Sequence, residues 1–135
     1  MHLPSHDGAL VALPLAQTRA TVVDAFAPSC EPCKEKVPAL HARRTELEAA
    51  GGRIVLVAVL ADGESTEEAQ QASRSWGVEA PFLVDRGGVL RRECAVDSLP
   101  ATVVLDARGA VRWVASPTAS AGEVVAAARA VAGPP

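Results

Sequence analysis

The chain reads as a single α/β domain over residues 1–135, a mixed central β-sheet with helices on both faces. Three observations predict it. Apolar β-branched runs alternate with helix-periodic segments, which implies parallel strand pairs joined by right-handed crossovers. The run Ile54-Val55-Leu56-Val57-Ala58-Val59-Leu60 lacks apolar–polar alternation, as a central strand covered on both faces does. Late in the chain, Asp106-Ala107-Arg108-Gly109 separates two short apolar runs, a hairpin signature that adds antiparallel strands.

Taken in order, Asp7-Gly8 signals a turn, and residues 9–13 form a short edge strand ending at Pro14. Residues 20–26 form a buried strand. Helical periodicity then starts near Cys30 and Cys33 and continues through Val37, Leu40, Ala42 and Leu47 to a stop at Gly51-Gly52. Pro38 lies inside this helix and should bend it, since it lacks an N–H and clashes with the preceding turn. After the central strand, Ser65 or Thr66 caps a helix running to about Trp76, and Gly77 ends it. Phe82-Leu83-Val84 is a short strand, followed by Asp85-Arg86-Gly87-Gly88 and a short helix to about Cys94. The hairpin strands are residues 101–105 and 110–114. A final helix covers about 121–131, with Gly133-Pro134-Pro135 as a frayed tail.

Composition narrows the function. A net charge of −3 supplies no basic excess to neutralise phosphates, which argues against a nucleic-acid partner. No apolar stretch approaches the roughly 18 residues of a membrane span. Residues 1–7 show no basic region followed by an apolar run, so no signal peptide is read there. Only four aromatic residues are present, two Trp and two Phe, so Val, Leu and Ala must build the core. Three cysteines are too few and too oddly numbered for a disulfide scaffold. One close pair and one distant single fit a reactive dithiol.

The pair stands in Ser29-Cys30-Glu31-Pro32-Cys33-Lys34, between the end of a buried strand and the start of a helix. Free N–H groups and the helix dipole there stabilise a thiolate on the first cysteine. Cys33, one turn inside the helix, is the more shielded thiol. Cys30 then attacks or is attacked, and Cys33 resolves the mixed disulfide. Cys-x-x-Cys pairs also ligate metals, but zinc wants about four ligands. The other candidates are Cys94, His41, His2 and His6, with no second Cys-x-x-Cys or His-x-x-His. No metal site and no cofactor is read from the sequence.

These residues resemble the thioredoxin superfamily, and within it the TlpA/ResA-like bacterial thiol–disulfide oxidoreductases. The matching stretch runs from Thr21-Val22-Val23-Asp24-Ala25-Phe26-Ala27-Pro28 through Cys30 and Cys33 to Pro38-Ala39-Leu40, and a second match is Leu99-Pro100-Ala101-Thr102-Val103-Val104-Leu105-Asp106 with Gly109. Gly77-Val78, Pro81-Phe82, Asp85 and Val96 also fit. The resemblance implies a thioredoxin-like three-layer sandwich and a redox-active disulfide. It implies a cis peptide at Leu99-Pro100 beside the dithiol, with the Leu99 backbone offering an edge to an extended substrate. It also implies that Asp24 is a buried acid assisting proton transfer to Cys33. The catalytic set is then Cys30, Cys33 and Asp24, and the substrate-binding set Leu99, Pro100 and Ser29. Two departures stand out. Ser29 replaces the Trp usual before the first cysteine, which should expose the dithiol. Lys36 replaces a Glu found in some relatives, and its charge favours the Cys30 thiolate.

The first functional expectation is a monomeric oxidoreductase exchanging protein disulfides, tilted by the resemblance towards a reductant. Its partners are protein disulfides or dithiols and a redox partner protein. The resemblance puts it outside the cytoplasm, periplasmic or held by an anchor absent from this chain; the alternative is cytoplasmic. The second is a non-catalytic copper or zinc carrier using Cys30 and Cys33. A peroxiredoxin-type peroxidase wants Thr or Ser three residues before the nucleophile, where Ala27 stands. Cys94 reads as a small buried hydrophobe, or alternatively as a third redox thiol. His41 reads as exposed, and Trp76 and Trp113 as packing residues.

Overall fold

The computed structural model describes residues 1–134. Its elements are β1 (His2–Pro4), β2 (Leu10–Ala12), β3 (Ala20–Phe26), α1 (Cys33–His41), α2 (Arg44–Ala49), β4 (Gly52–Val59), α3 (Thr66–Ser75), β5 (Phe82–Asp85), α4 (Val89–Cys94), β6 (Ala101–Asp106), β7 (Val111–Val114) and α5 (Ala121–Ala132). Five strands form the central sheet in the order β5-β4-β3-β6-β7. β3, β4 and β5 run parallel, and β6 and β7 are antiparallel. The predicted mixed sheet is therefore present.

Strand alternation sorts the two faces. Val22 and Phe26 of β3, with Leu56 and Ala58 of β4, face α1, α2, α3 and α5. Val23, Ala25, Val55 and Val57 face α4 and the β1–β2 hairpin. On the first face Phe26 meets Trp76 and Phe82 edge-on, with ring centroids 5.7 and 6.0 Å apart. Val, Leu and Ala supply most of the remaining core, each fully buried Val or Leu being worth about 1.5–3 kcal/mol.

Three sequence expectations need correction, and one strand has no counterpart among them. The residues before Asp7 include a strand, β1, which pairs antiparallel with β2 in a separate two-stranded sheet. The segment at 9–13 is thus half of a hairpin and not an edge of the main sheet; Ser5 bridges to Leu83 on β5. The long first helix is two helices, divided at Ala42-Arg43 and not at Pro38, which α1 accommodates. Arg43 leaves the helical conformation (φ −103°, ψ 13°), and its side chain grips Glu46, which also receives Arg129 of α5. The tail is anchored as far as it is described: the Arg19 guanidinium donates to the carbonyls of Gly133 and Pro134 and to that of Ala50 at the end of α2. Pro135 lies outside the described residues. The α3 cap follows the expectation, with Ser65 and Glu68 forming a reciprocal capping box.

Candidate active site

β3 delivers the chain from the middle of the sheet to its end at Phe26, and residues 27–32 lead to α1. Two turns fix this loop: the Cys30 N–H donates to the Ala27 carbonyl and the Lys34 N–H to the Glu31 carbonyl, both at 3.1 Å. Pro32 caps α1 with φ −62°, the angle its ring imposes and a helix entry needs. Cys30 and Cys33 are joined by a disulfide, with Cα atoms 5.3 Å apart.

The two sulfurs have unequal surroundings. Cys30 is half-buried, whereas Cys33 is 0% exposed and packs with Phe26 and Val37. Cys33 is the first residue of α1 and not one turn inside it. Its shielding comes from the core around it, not from depth in the helix. Cys30 precedes the helix by three residues, and the disulfide holds its sulfur against the first residue of α1.

One cavity opens beside Cys30, and a second lies on the Asp24 side of α1. The first, of about 500 Å³, is lined by Ser29, Glu31, Leu90, Arg91, Asp97 and Leu99. Ser29 is exposed, with its hydroxyl 3.4 Å from the Glu64 carboxylate. The Leu99-Pro100 peptide is cis. Leu99 lines this first cavity and Pro100 the second, so the dipeptide stands between them.

The second cavity, of about 330 Å³, is lined by Asp24, Lys36, Pro100, Thr102, Ser116 and Ser120 among others. Asp24 lies on the helix-facing side of β3, between Val22 and Phe26, and is 2% exposed. Its Oδ1 accepts the Thr102 hydroxyl at 3.1 Å, and its Oδ2 is buried without a partner among the described residues. Burial raises its pKa to about 7, against the smaller opposing pulls of the Thr102 hydrogen bond and the Lys36 charge. The Lys36 ammonium donates to the carbonyls of Pro117 (2.7 Å) and Ala119 (3.1 Å) in the β7–α5 loop. Its charge therefore acts on Asp24.

Sequence reasoning missed three roles here. Thr102 pairs with Asp24 across the β3–β6 ladder and shares its face; its place two residues after Pro100 was the available signal. The tether of Lys36 to the β7–α5 loop spans more than 80 positions and leaves no local pattern. Asp85 is buried at the end of β5 and accepts the N–H groups of Val89 and Leu90, opening α4 beside the Cys30 cavity.

The remaining candidates fall elsewhere. Cys94 is buried in α4 among Leu90, Val103 and Leu105, and burial, with Glu93 and Asp85 nearby, raises its thiol pKa. His41 is half-buried rather than exposed, and burial and the Arg44 charge lower its pKa. His6 stacks on Phe82 with ring centroids 4.8 Å apart. Among the described residues, no three His, Cys, Asp or Glu side chains gather as a metal site. No described helix is long and apolar enough to cross a membrane.

A sequence model of the AhpC/TSA family matches residues 1–114. No curated protein matches the chain. Solved structures do. MTB dsbF, in mixed oxidized and reduced forms, is 20% identical over 97% of this chain and 94% of its own, with a TM-score of 0.80. A thioredoxin-family thiol:disulfide interchange protein from Chlorobium tepidum is 20% identical over 98% and 93%, with a TM-score of 0.77. A secreted Mycobacterium tuberculosis disulfide oxidoreductase homologous to E. coli DsbE is 23% identical over 96% and 95%, with a TM-score of 0.69. At such identities the structural likeness establishes the fold. The chain belongs to the AhpC/TSA family, as an oxidoreductase of thioredoxin-like fold carrying a Cys-x-x-Cys pair.

Proposed function

We propose that this protein reduces disulfides of protein substrates through Cys30 and Cys33 in an extracytoplasmic compartment. The observation that carries the reading is the asymmetric pair: a half-exposed Cys30 bonded to a fully buried Cys33 beside an open cavity. In the reduced protein the Cys30 thiolate attacks one substrate sulfur, forming a mixed disulfide and releasing the other as a thiolate. The Cys33 thiolate then attacks Cys30 Sγ, closing the Cys30–Cys33 disulfide and releasing the second substrate sulfur. Two electrons and the protons of two thiols pass to the substrate. Asp24, poised near neutrality, takes the Cys33 proton. Leu99 and Pro100 form the wall against which an extended substrate lies, with Ser29 at its rim.

The charge around Cys30 supports the reducing direction. Glu31, Asp85 and Asp97 line its cavity against a single cation, Arg91. A weakly stabilised thiolate favours the disulfide form, which makes the dithiol a better reductant. The secreted relative supports the compartment. Equilibration with dithiothreitol and glutathione buffers tests the direction. A reduction potential near that of thioredoxin, about −270 mV, is expected; one near about −120 mV marks an oxidant and overturns it.

A further inference from the structure

We propose that Lys36 is a positioning residue for proton transfer at Cys33: the β7–α5 loop holds its ammonium as a fixed counter-charge to the Asp24 carboxylate across their shared cavity. The inference rests on the reading that Cys30 and Cys33 exchange disulfides and that Asp24 accepts the Cys33 proton. It adds the residue that decides when Asp24 is free to do so.

The geometry is specific. Asp24 Oδ2 is buried without a hydrogen-bond partner among the described residues. Thr102 satisfies only Oδ1. The Asp24 cavity has two other charged linings, Glu35 and Lys36, both from α1; β6, the β7–α5 loop and α5 contribute Pro, Thr, Ser, Ala and Val. Glu35 is exposed, while Lys36 is half-buried. Among the described residues Lys36 is thus the one cation lining the cavity of a carboxylate that burial would otherwise keep protonated.

The tether decides the strength of that effect. A free lysine would fold onto Asp24 as a direct ion pair and lock the carboxylate in its charged form. Here two loop carbonyls take donors from the ammonium. The charge is held at a set position, where it tempers burial without cancelling it. Asp24 consequently keeps a titration midpoint inside the range where a base must both accept and release a proton.

The test is a carboxyl-carbon NMR titration of Asp24 in the oxidised wild type, Lys36→Met, Lys36→Gln and Lys36→Arg, alongside the pH profile of disulfide exchange. Lys36→Met and Lys36→Gln should raise the Asp24 midpoint by about one unit and move the alkaline rise of the exchange profile with it. Lys36→Arg, which keeps charge and donors, should restore both. Lys36→Gln guards against misfolding of the Met variant, since it retains a donor for the loop. An unchanged midpoint in both neutral variants overturns the proposal, as does failure of Lys36→Arg to restore it. If the wild type exchanges disulfides and only the Lys36 effects are missing, this inference alone fails. If the wild type does not exchange, the functional reading fails with it.

Discussion

The Thr102 hydroxyl donates to Asp24 Oδ1 at 3.1 Å across the β3–β6 ladder, leaving Oδ2 of the same buried carboxylate unpartnered. A carboxylate satisfied on one side only, in an apolar sheet face, is a destabilising feature of the charged protein.

That feature gives a pH dependence of stability. Folding raises the Asp24 pKa from 3.8 to about 7, so the folded state binds the proton more tightly than the unfolded state. The stability linked to this proton is complete below the unfolded pKa and is lost as pH rises through the folded one. The window is pH 4 to 7, and a displacement of that size corresponds to on the order of 4 kcal/mol. Urea unfolding of the oxidised protein at pH 5 and pH 8 should show a larger fall in the wild type than in Asp24→Asn. Equal falls would mean that Asp24 titrates normally.

Asp85 supports the Cys30 cavity from beneath. Its two carboxylate oxygens accept the N–H groups of Val89 and Leu90 at 3.0 and 2.9 Å. Asp85→Ala leaves both donors unsatisfied at the start of α4, a loss of about 1–2 kcal/mol. Leu90 and Arg91 line the cavity, so the KM for a disulfide substrate should rise more than kcat falls. Hydrogen exchange at Val89 and Leu90 provides the local check; unchanged protection there would show that the cap is dispensable.

Arg19 joins two helix ends. Its guanidinium donates to the carbonyls of Ala50 after α2 and of Gly133 and Pro134 after α5, where helix dipoles favour a cation. Arg19→Ala should cost about 1–3 kcal/mol in denaturant unfolding. Gly51 adds a coupled effect. Its φ is +91°, and an added Cβ would come within 2.6 Å of the guanidinium. Gly51→Ala should therefore be less damaging in the Arg19→Ala background, where only the backbone strain remains. Strict additivity would refute the contact.

The frame of this fold was legible in the chain because its signals are local. The apolar runs of β3 and β4, the Ser65–Glu68 cap and the turn at Asp106–Gly109 each carry their own pattern. β1 carries none: one buried Leu3 between exposed His2 and Pro4 becomes a strand only by pairing with β2. The break at Ala42-Arg43 likewise has no breaker residue, and the helix divides where Glu46 draws in Arg43 and Arg129. The cysteines were visible as a motif. Their unequal burial, the Thr102 partner and the Lys36 tether depend on chain segments brought together from far apart.

The most direct test of the central claim is trapping. Reduced Cys33→Ser protein, offered a peptide disulfide, should accumulate a mixed disulfide that peptide mass mapping places on Cys30. Buried Cys94 should stay unmodified. No adduct, or an adduct on Cys94 alone, would contradict the assignment of Cys30 as the exchanging thiol.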